Sequence, residues 1–423
     1  MSTASVAEGS SLAVSGPAVS AVLPGMEEEG LRADVRALAR GVADRELAPR
    51  AAHWDEAGEF PQQSWEALVR ADLTGLTIAE EYGGSALGDV ESAVVLEELA
   101  RVDVSSAILA QLTMNGPPRV IQHLGGAGVR ERWLPRVARG ELFISIGITE
   151  PDAGSAVGAM RAQLAADGDG YRLNAYKNYS TGGHRAGACL VWCRFPGSEG
   201  SRGIGAVVVD LSTEGVSVVG THKNMGLHGL TEAELAFDDV WIDPDDVVIA
   251  ADPSSSSAFR KLIGHLTHER CGNAAMCIGA AQGALERAIR YLRDRETGGR
   301  RLADLQGLQW KVADMAIELE SARLLLYRAV GLAESSGGTP PPMESAMAKA
   351  AANLAAKHVC DEAMQLLGGY GYSAEEPLER AFRDVRGLCF GGGTVEIQRN
   401  YVGQSLLRGD APHGPAWRLE EQS

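Results

Sequence analysis

QLLGGYGYSAEEPLERAFRDVRGLCFGGGTVEIQR, residues 365–399, decides how the chain is read. One apolar helix pattern stops at GGYG, a second opens at Pro377, and three glycines precede a third. Glycine at a helix C-terminus and proline at a helix start are ordinary punctuation. Three glycines in a row are different, because they forfeit backbone rigidity and are retained where something must come close. The same segment carries Arg383-Asp384-x-Arg386, which reads as an ion-pair network beside that close approach.

Upstream of this segment the helical spacing continues. Leu308, Val312, Met315, Leu319, Ala322 and Leu326 step by four and three, as one face of a packed helix does. SSGGTPPP (335–342) separates that helix from the next. Near residue 142 the pattern is different. LFISIGI, AQLAADGDGYRLNAYKNYS, CLVWCRF, GIGAVVVDL, VSVVG and AELAFDDVWI are short, β-rich and divided by turn residues, and DGDG marks a hairpin. Before them helical spacing returns: Leu31, Val35, Leu38 and Val42, then Trp65 and Leu68 after Pro61.

The expected architecture is therefore α+β. A disordered extension (1–26) precedes an N-terminal helical domain (27–141), a middle β domain of barrel or sandwich type (142–250), a C-terminal helical bundle (255–410) and a tail (411–423). No βαβ alternation appears, and neither GGYG nor GGAG is the dinucleotide fingerprint of a Rossmann fold.

Composition narrows the function. The 423 residues carry a net charge of −17, which repels phosphate backbones and anionic lipid, so nucleic acid and membrane are not expected partners. Six cysteines show no CxxC or Cys/His ligand spacing, which points to buried free thiols in a reducing compartment. The first 26 residues hold no Lys or Arg, and no apolar run approaches membrane-spanning length. A cytoplasmic protein without a metal is expected.

Three further segments could carry chemistry. GITEPDAGS (147–155) offers the hydroxyls of Thr149 and Ser155 and the open backbone of Gly154. In KNYSTGG (177–183), strand alternation would put Tyr179 and Thr181 on one face, suited to a ring with hydrogen-bonding edges. In IGHLTHERCGNAAMCIGAA, Glu269 falls in line with Leu262, Leu266, Asn273, Met276 and Ala280. A carboxylate in an apolar stripe must be paired, neutralised or functional.

Taken together, Gly-Ile-Thr-Glu-Pro-x-x-Gly-Ser and Gln-x-x-Gly-Gly-x-Gly-Tyr-x4-Pro-x4-Arg-Asp-x-Arg resemble the acyl-CoA dehydrogenase family, over about residues 28–408. EEYGG (80–84), DLQGLQWKVADM (304–315) and GGGTVEIQR (391–399) are similar to it as well. The resemblance implies an FAD-dependent dehydrogenation of an acyl thioester, on CoA or a carrier protein. A homotetramer and an electron-transfer flavoprotein or similar acceptor are implied with it.

By the same resemblance Ile146, Ile148, Thr149, Gly154 and Ser155 line flavin and pyrophosphate, Tyr179 lies by the isoalloxazine, and Thr181 bonds near N5. Arg295, Gln306, Gln365, Gly368 and Gly369 reach a partner subunit's FAD, while Thr394 and Glu396 contact the cofactor beyond the glycines. Many relatives hold the catalytic glutamate at the position of Gly392; the isovaleryl and long-chain branches place it on a helix, in the setting found here as Leu266-Thr267-His268-Glu269-Arg270. Glu269 is thus the implied base that removes the α-proton, as hydride leaves the β-carbon for flavin N5. The Gly392 amide is the implied carbonyl donor, and Ser155, Arg270 and Gly393 are implied substrate contacts. The chain departs from the family at Ala156, Gly182, Gly298 and Gly391, where aspartate, asparagine, phenylalanine and tyrosine are usual. A flavin monooxygenase or oxidase on the same scaffold, or a flavin-binding protein without turnover, are the alternatives.

Overall fold

The computed structural model describes residues 30–197, 200–252 and 254–413. The expected extension (1–26) and the tail from residue 414 lie outside the described residues. Helices come first: α1 (Leu31–Val42), α2 (Ala51–Ala57), α3 (Gln62–Arg70), α4 (Asp89–Ala100), α5 (Val104–Met114), α6 (Pro117–Leu124) and α7 (Ala127–Ala138). The strands follow as β1 (Ile144–Gly147), β2 (Gln163–Asp167), β3 (Gly170–Thr181), β4 (Ala188–Arg194), β5 (Ile204–Asp210), β6 (Val216–Thr221), β7 (Glu232–Ile242) and β8 (Val247–Ile249). The chain then enters α8 (Ser257–Asp294), crosses the small hairpin β9 (Glu296–Thr297) and β10 (Arg300–Arg301), and continues as α9 (Gln306–Gly331), α10 (Pro342–Leu367), α11 (Pro377–Leu388) and α12 (Val395–Leu407). Helices, sheet, then helices is the α+β order expected from the sequence.

The sheet runs β6-β7-β3-β2-β4-β5-β8, with β1 parallel to β4. Both faces of its middle strands are buried, and strand alternation assigns each face a different partner. Cys189, Val191, Cys193, Val207 and Val209 pack inside the folded sheet with Leu173, Leu235 and Phe237. Ala188, Leu190, Trp192, Ala206 and Val208 pack outward on Trp133 of α7 and on Leu262 and Leu266 of α8. Trp133 also donates to Asp246 at 2.9 Å, fixing the N-terminal helices to the rim of β8. All six cysteines are buried and free.

At 38 residues, α8 is about 57 Å long at 1.5 Å per residue, and it is the spine of the molecule. Its small residues let α4 approach closely. A Cβ on Gly279 would stand 2.1 Å from the carbonyl oxygen of Glu97, and one on Gly283 would stand 2.1 Å from that of Arg101. The buried α8 stripe expected from the sequence is present, with Leu262, Asn273, Met276 and Ala280 all enclosed.

A second junction ties the three regions together. Arg383 of α11 pairs with Asp55 at 2.5 Å and with Glu379 at 2.6 Å. The next residue, Asp384, accepts from the Leu227 N–H at 2.7 Å inside the core. The ion-pair network read from the sequence is therefore a domain clamp.

Two substitutions on α8 separate packing from propensity. Gly279→Ala forces α4 and α8 apart and is expected to cost about 2–3 kcal/mol. Gly264→Ala meets nothing within 4 Å and is expected to gain about 0.5–1 kcal/mol. Denaturant titration of the flavin-loaded protein, followed by tryptophan fluorescence, checks both signs.

Candidate active site

The glycine loop lies between α11 and α12, and its conformation explains its composition. Gly392 and Gly393 adopt φ of +67° and +94°, the left-handed region that side chains disfavour. Both carbonyls are anchored. Gly392 O accepts from Arg270 Nε at 3.2 Å and from Gln398 Nε2 at 3.3 Å, and Gly393 O accepts from Gln398 Nε2 at 3.0 Å. No described residue accepts from the Gly392 N–H. The loop therefore holds that amide in a fixed orientation with its hydrogen-bonding capacity unused.

Glu269 precedes Arg270 on α8. Its backbone carbonyl accepts from Gln111 Nε2 of α5 at 3.2 Å, and Gln111 is itself held by Asn115 at 3.1 Å. Its carboxylate is half-buried, and no described residue bonds or ion-pairs with it. Arg270, the obvious partner in sequence, spends its Nε on the loop instead. Desolvation raises the Glu269 carboxyl to about 7, against a smaller opposing pull from Arg270. An unpaired carboxylate at that value can take up or release a proton near neutrality.

Behind the loop sits a polar network that the sequence did not reveal. Lys349 of α10 is fully buried, donating to Asn353 Oδ1 at 2.8 Å and to Leu388 O at 3.4 Å. Asn353 bonds Asn273 at 2.9 Å, and Asn273 bonds Leu388 O at 3.0 Å. Burial brings the Lys349 ammonium down to about 8. A Cβ on Gly392 would lie 3.7 Å from Lys349 Cε and 3.9 Å from Arg270 Cγ, so both cations underlie the loop. An alanine-rich helix with Lys and Asn four apart looks solvated on paper; only the packing of α8, α11 and α12 on α10 encloses it.

The segment leaving β1 is fixed by an enclosed ion pair. Glu150 pairs with Lys177 of β3 at 2.8 Å and accepts from the N–H groups of Arg161 and Ala162 at 2.5 and 2.9 Å. Asn178 N donates to Thr149 O at 2.8 Å. The turn so held exposes Gly154 and Ser155, and no described residue accepts from the N–H groups of 154–156. The hydroxyls of Thr149, Ser155 and Thr181 likewise have no partner among the described residues. Ile146 and Ile148 pack against the same apolar cluster that includes Leu262 and Leu266 of α8, and Glu269 follows Leu266 by three residues on that helix.

Tyr179 departs from simple alternation. It has a φ of +55°, and the β3–β7 register jumps between Lys177 and Ser180, so the two-residue rule linking it to Thr181 does not hold there. Its ring is 54% exposed and stacks on His222 at 4.3 Å.

The remaining expected cofactor residues form a second group. Arg295 follows Glu269 by 26 residues, about 39 Å along the helix axis. Gln365 follows Lys349 by 16 residues on α10, about 24 Å, and Gly368 and Gly369 lie beyond it. Gln306 opens α9 after the β9–β10 hairpin. Arg295, Gln306, Gln365, Gly368 and Gly369 are all exposed. Thr394 and Glu396 stay with the first group, Thr394 capping α12 by accepting from Ile397 N at 3.3 Å.

Family models described as the acyl-CoA dehydrogenase N-terminal, middle and C-terminal domains match residues 30–141, 145–240 and 259–407. The chain belongs to the acyl-CoA dehydrogenase family. It is 34% identical over 382 residues to the probable acyl-CoA dehydrogenase fadE25 of Mycobacterium leprae, covering 90% of this chain and 96% of that one. It is 33% identical to the caffeyl-CoA reductase-Etf complex subunit CarC of Acetobacterium woodii, covering 88% and 97%. A glutaryl-CoA dehydrogenase from Mycobacterium smegmatis in complex with FADH2 superposes with a TM-score of 0.82 at 25% identity, covering 90% and 96%. Like other acyl-CoA dehydrogenases, the protein is a flavin-dependent oxidoreductase acting on CH–CH bonds. No helix among the described residues is long and apolar enough to cross a membrane.

Gly392→Ala tests whether the loop needs glycine for backbone or for space. Its Cβ has ordinary contacts, so only the left-handed backbone is penalised, by about 1–2 kcal/mol in denaturant titration. Gly393→Ala, whose Cβ would stand 2.8 Å from Gln398 Nε2, is expected to cost more.

Proposed function

We propose that the chain oxidises an acyl thioester, carried on CoA or a carrier protein, to its 2,3-unsaturated product with FAD bound. The observation that carries this reading is the unpaired, half-buried Glu269 carboxylate, held near neutrality beside an anchored loop with a free amide. The unpaired hydroxyls of Thr149, Ser155 and Thr181 and the exposed N–H groups at 154–156 fit a flavin and its pyrophosphate, because each offers an unused hydrogen bond to a polar edge or anion. With Ile146, Ile148, Tyr179, Thr394 and Glu396 they would hold the cofactor from this chain. Bound there, FAD supplies the two-electron acceptor for the hydride leaving the β-carbon.

The chain's own residues supply the proton chemistry and orientation. Gly392 N–H donates to the thioester carbonyl and stabilises the charge that develops on it. Arg270 and Gln398 keep that donor aimed by holding the neighbouring carbonyls. Glu269 takes the α-proton. Closing the site over the substrate excludes water and keeps the carboxylate basic. In the reverse direction, which the reductase relative supports as a second reading, Glu269 returns the same proton.

The 39 Å between Glu269 and Arg295 supports a shared site, since one chain cannot bring both to one flavin. Trp310 and Ile317, seven residues apart on α9, are 62% and 65% exposed and suit a subunit interface. We infer a homotetramer in which Arg295, Gln306, Gln365, Gly368 and Gly369 serve a neighbour's cofactor. The Etf-complex relative supports an electron-transfer flavoprotein as acceptor.

Anaerobic stopped-flow with saturated acyl thioesters tests the assignment of Glu269. Glu269→Gln is expected to keep the flavin spectrum and slow bleaching at least about 100-fold. The base must be deprotonated, so bleaching of the native protein at limiting thioester rises about tenfold per pH unit below 7 and levels off above it. Unchanged bleaching in the variant, or a flat pH profile, contradicts the assignment; turnover that requires NADPH and oxygen favours a monooxygenase.

A further inference from the structure

A cluster outside this site has the composition of a metal centre. His123 of α6 meets His265 and His268, one turn apart on α8, and the nearest ligand atoms of the three rings lie within 4.8 Å of one another. His268 and His265 are buried, while His123 is exposed at the edge and leaves a route in from solvent.

The hydrogen bonds around the cluster orient it inward. His268 Nδ1 lies 2.6 Å from Asp89 Oδ1, the first residue of α4. In the neutral tautomer that donates Nδ1–H to this carboxylate, Nε2 presents a lone pair. His268 Nε2 is fully buried and has no partner among the described residues, and the same is true of His265 Nδ1. Two buried ring nitrogens without partners, on residues one turn apart on α8, are costly to leave unsatisfied. A carboxylate behind a histidine whose other nitrogen is free is the outer shell that metal-binding imidazoles use.

We propose that His123, His265 and His268 bind a divalent transition-metal ion of the zinc class, with Asp89 as the orienting carboxylate. Three imidazoles and one open position suit a tetrahedral ion, with ring nitrogens about 3.3 Å apart at metal–nitrogen distances near 2.05 Å. Binding closes the present separation, within 4.8 Å, to that distance by rotation of the three side chains. The charges around the site balance at close range: Arg119 lies 3.6 Å from Asp89 and cancels it, while Arg130 adds a more distant positive charge near His123. Bound there, the ion braces α6 against α8 one residue from Glu269.

The test uses the flavin-loaded protein, stripped with chelator and titrated with Zn²⁺ or Co²⁺. Elemental analysis after dialysis is expected to show one Zn²⁺ per chain, with Co²⁺ giving visible d–d bands of a tetrahedral nitrogen site. Zn²⁺ should raise the thermal midpoint. His123→Gln, at the exposed edge, is expected to weaken binding at least tenfold and to abolish the shift while keeping the flavin spectrum. Asp89→Asn should weaken it by about 10–100-fold. Loss of all Zn²⁺ on dialysis of the native protein, or equal binding by His123→Gln, overturns the site; His53→Gln, outside the cluster, should change nothing.

Discussion

The closeness of α4 to α8 governs the rest of the molecule. Gly279 and Gly283 let the carbonyls of Glu97 and Arg101 come within a distance that a single methyl group would block. That contact fixes one long helix against the N-terminal layer, while its earlier turns at Leu262 and Leu266 pack on the outer face of the sheet. The residue between those two surfaces is Glu269. Its half-buried position, and so its raised proton affinity, follows from where the helix is forced to lie.

The same arrangement makes the electrostatics of the site economical. A buried carboxylate normally calls for a counter-ion, and Arg270 stands next to it in the chain. The helix turns the guanidinium toward Gly392 O instead, so one cation anchors the glycine loop while the carboxylate has no partner among the described residues. Lys349, enclosed behind the loop, has no carboxylate partner among the described residues, and in the proposed reaction it would add positive potential near the thioester oxygen. By contrast Glu150 and Lys177 pair with each other, and the pair holds the turn that carries Thr149 and Ser155.

Much of this was legible in the sequence, and the failures have physical causes. The stripe from Leu262 to Ala280 placed Glu269 on a packed helix because helical period survives any tertiary setting. The glycine triplet signalled close approach, and the structure adds positive φ at two of its members. The shared face expected for Tyr179 and Thr181 fails because a bulge is invisible to alternation: nothing in KNYSTGG announces the register jump. Lys349 and Asn353 were missed because their burial depends on three neighbouring helices. His265 and His268 could have been noticed one turn apart, but His123 and Asp89 come from elements far away in sequence, and only the fold assembles them.

In the proposed reaction Glu269 and the anchored loop address one reacting centre. A crystal structure with FAD and a non-oxidisable acyl-thioester analogue tests it most directly. A Glu269 carboxylate oxygen is expected about 3–3.5 Å from the α-carbon, with the Gly392 nitrogen within hydrogen-bonding distance of the thioester oxygen. A complex in which another acid faces that carbon, or in which Glu269 turns away to pair with Arg270, would contradict it.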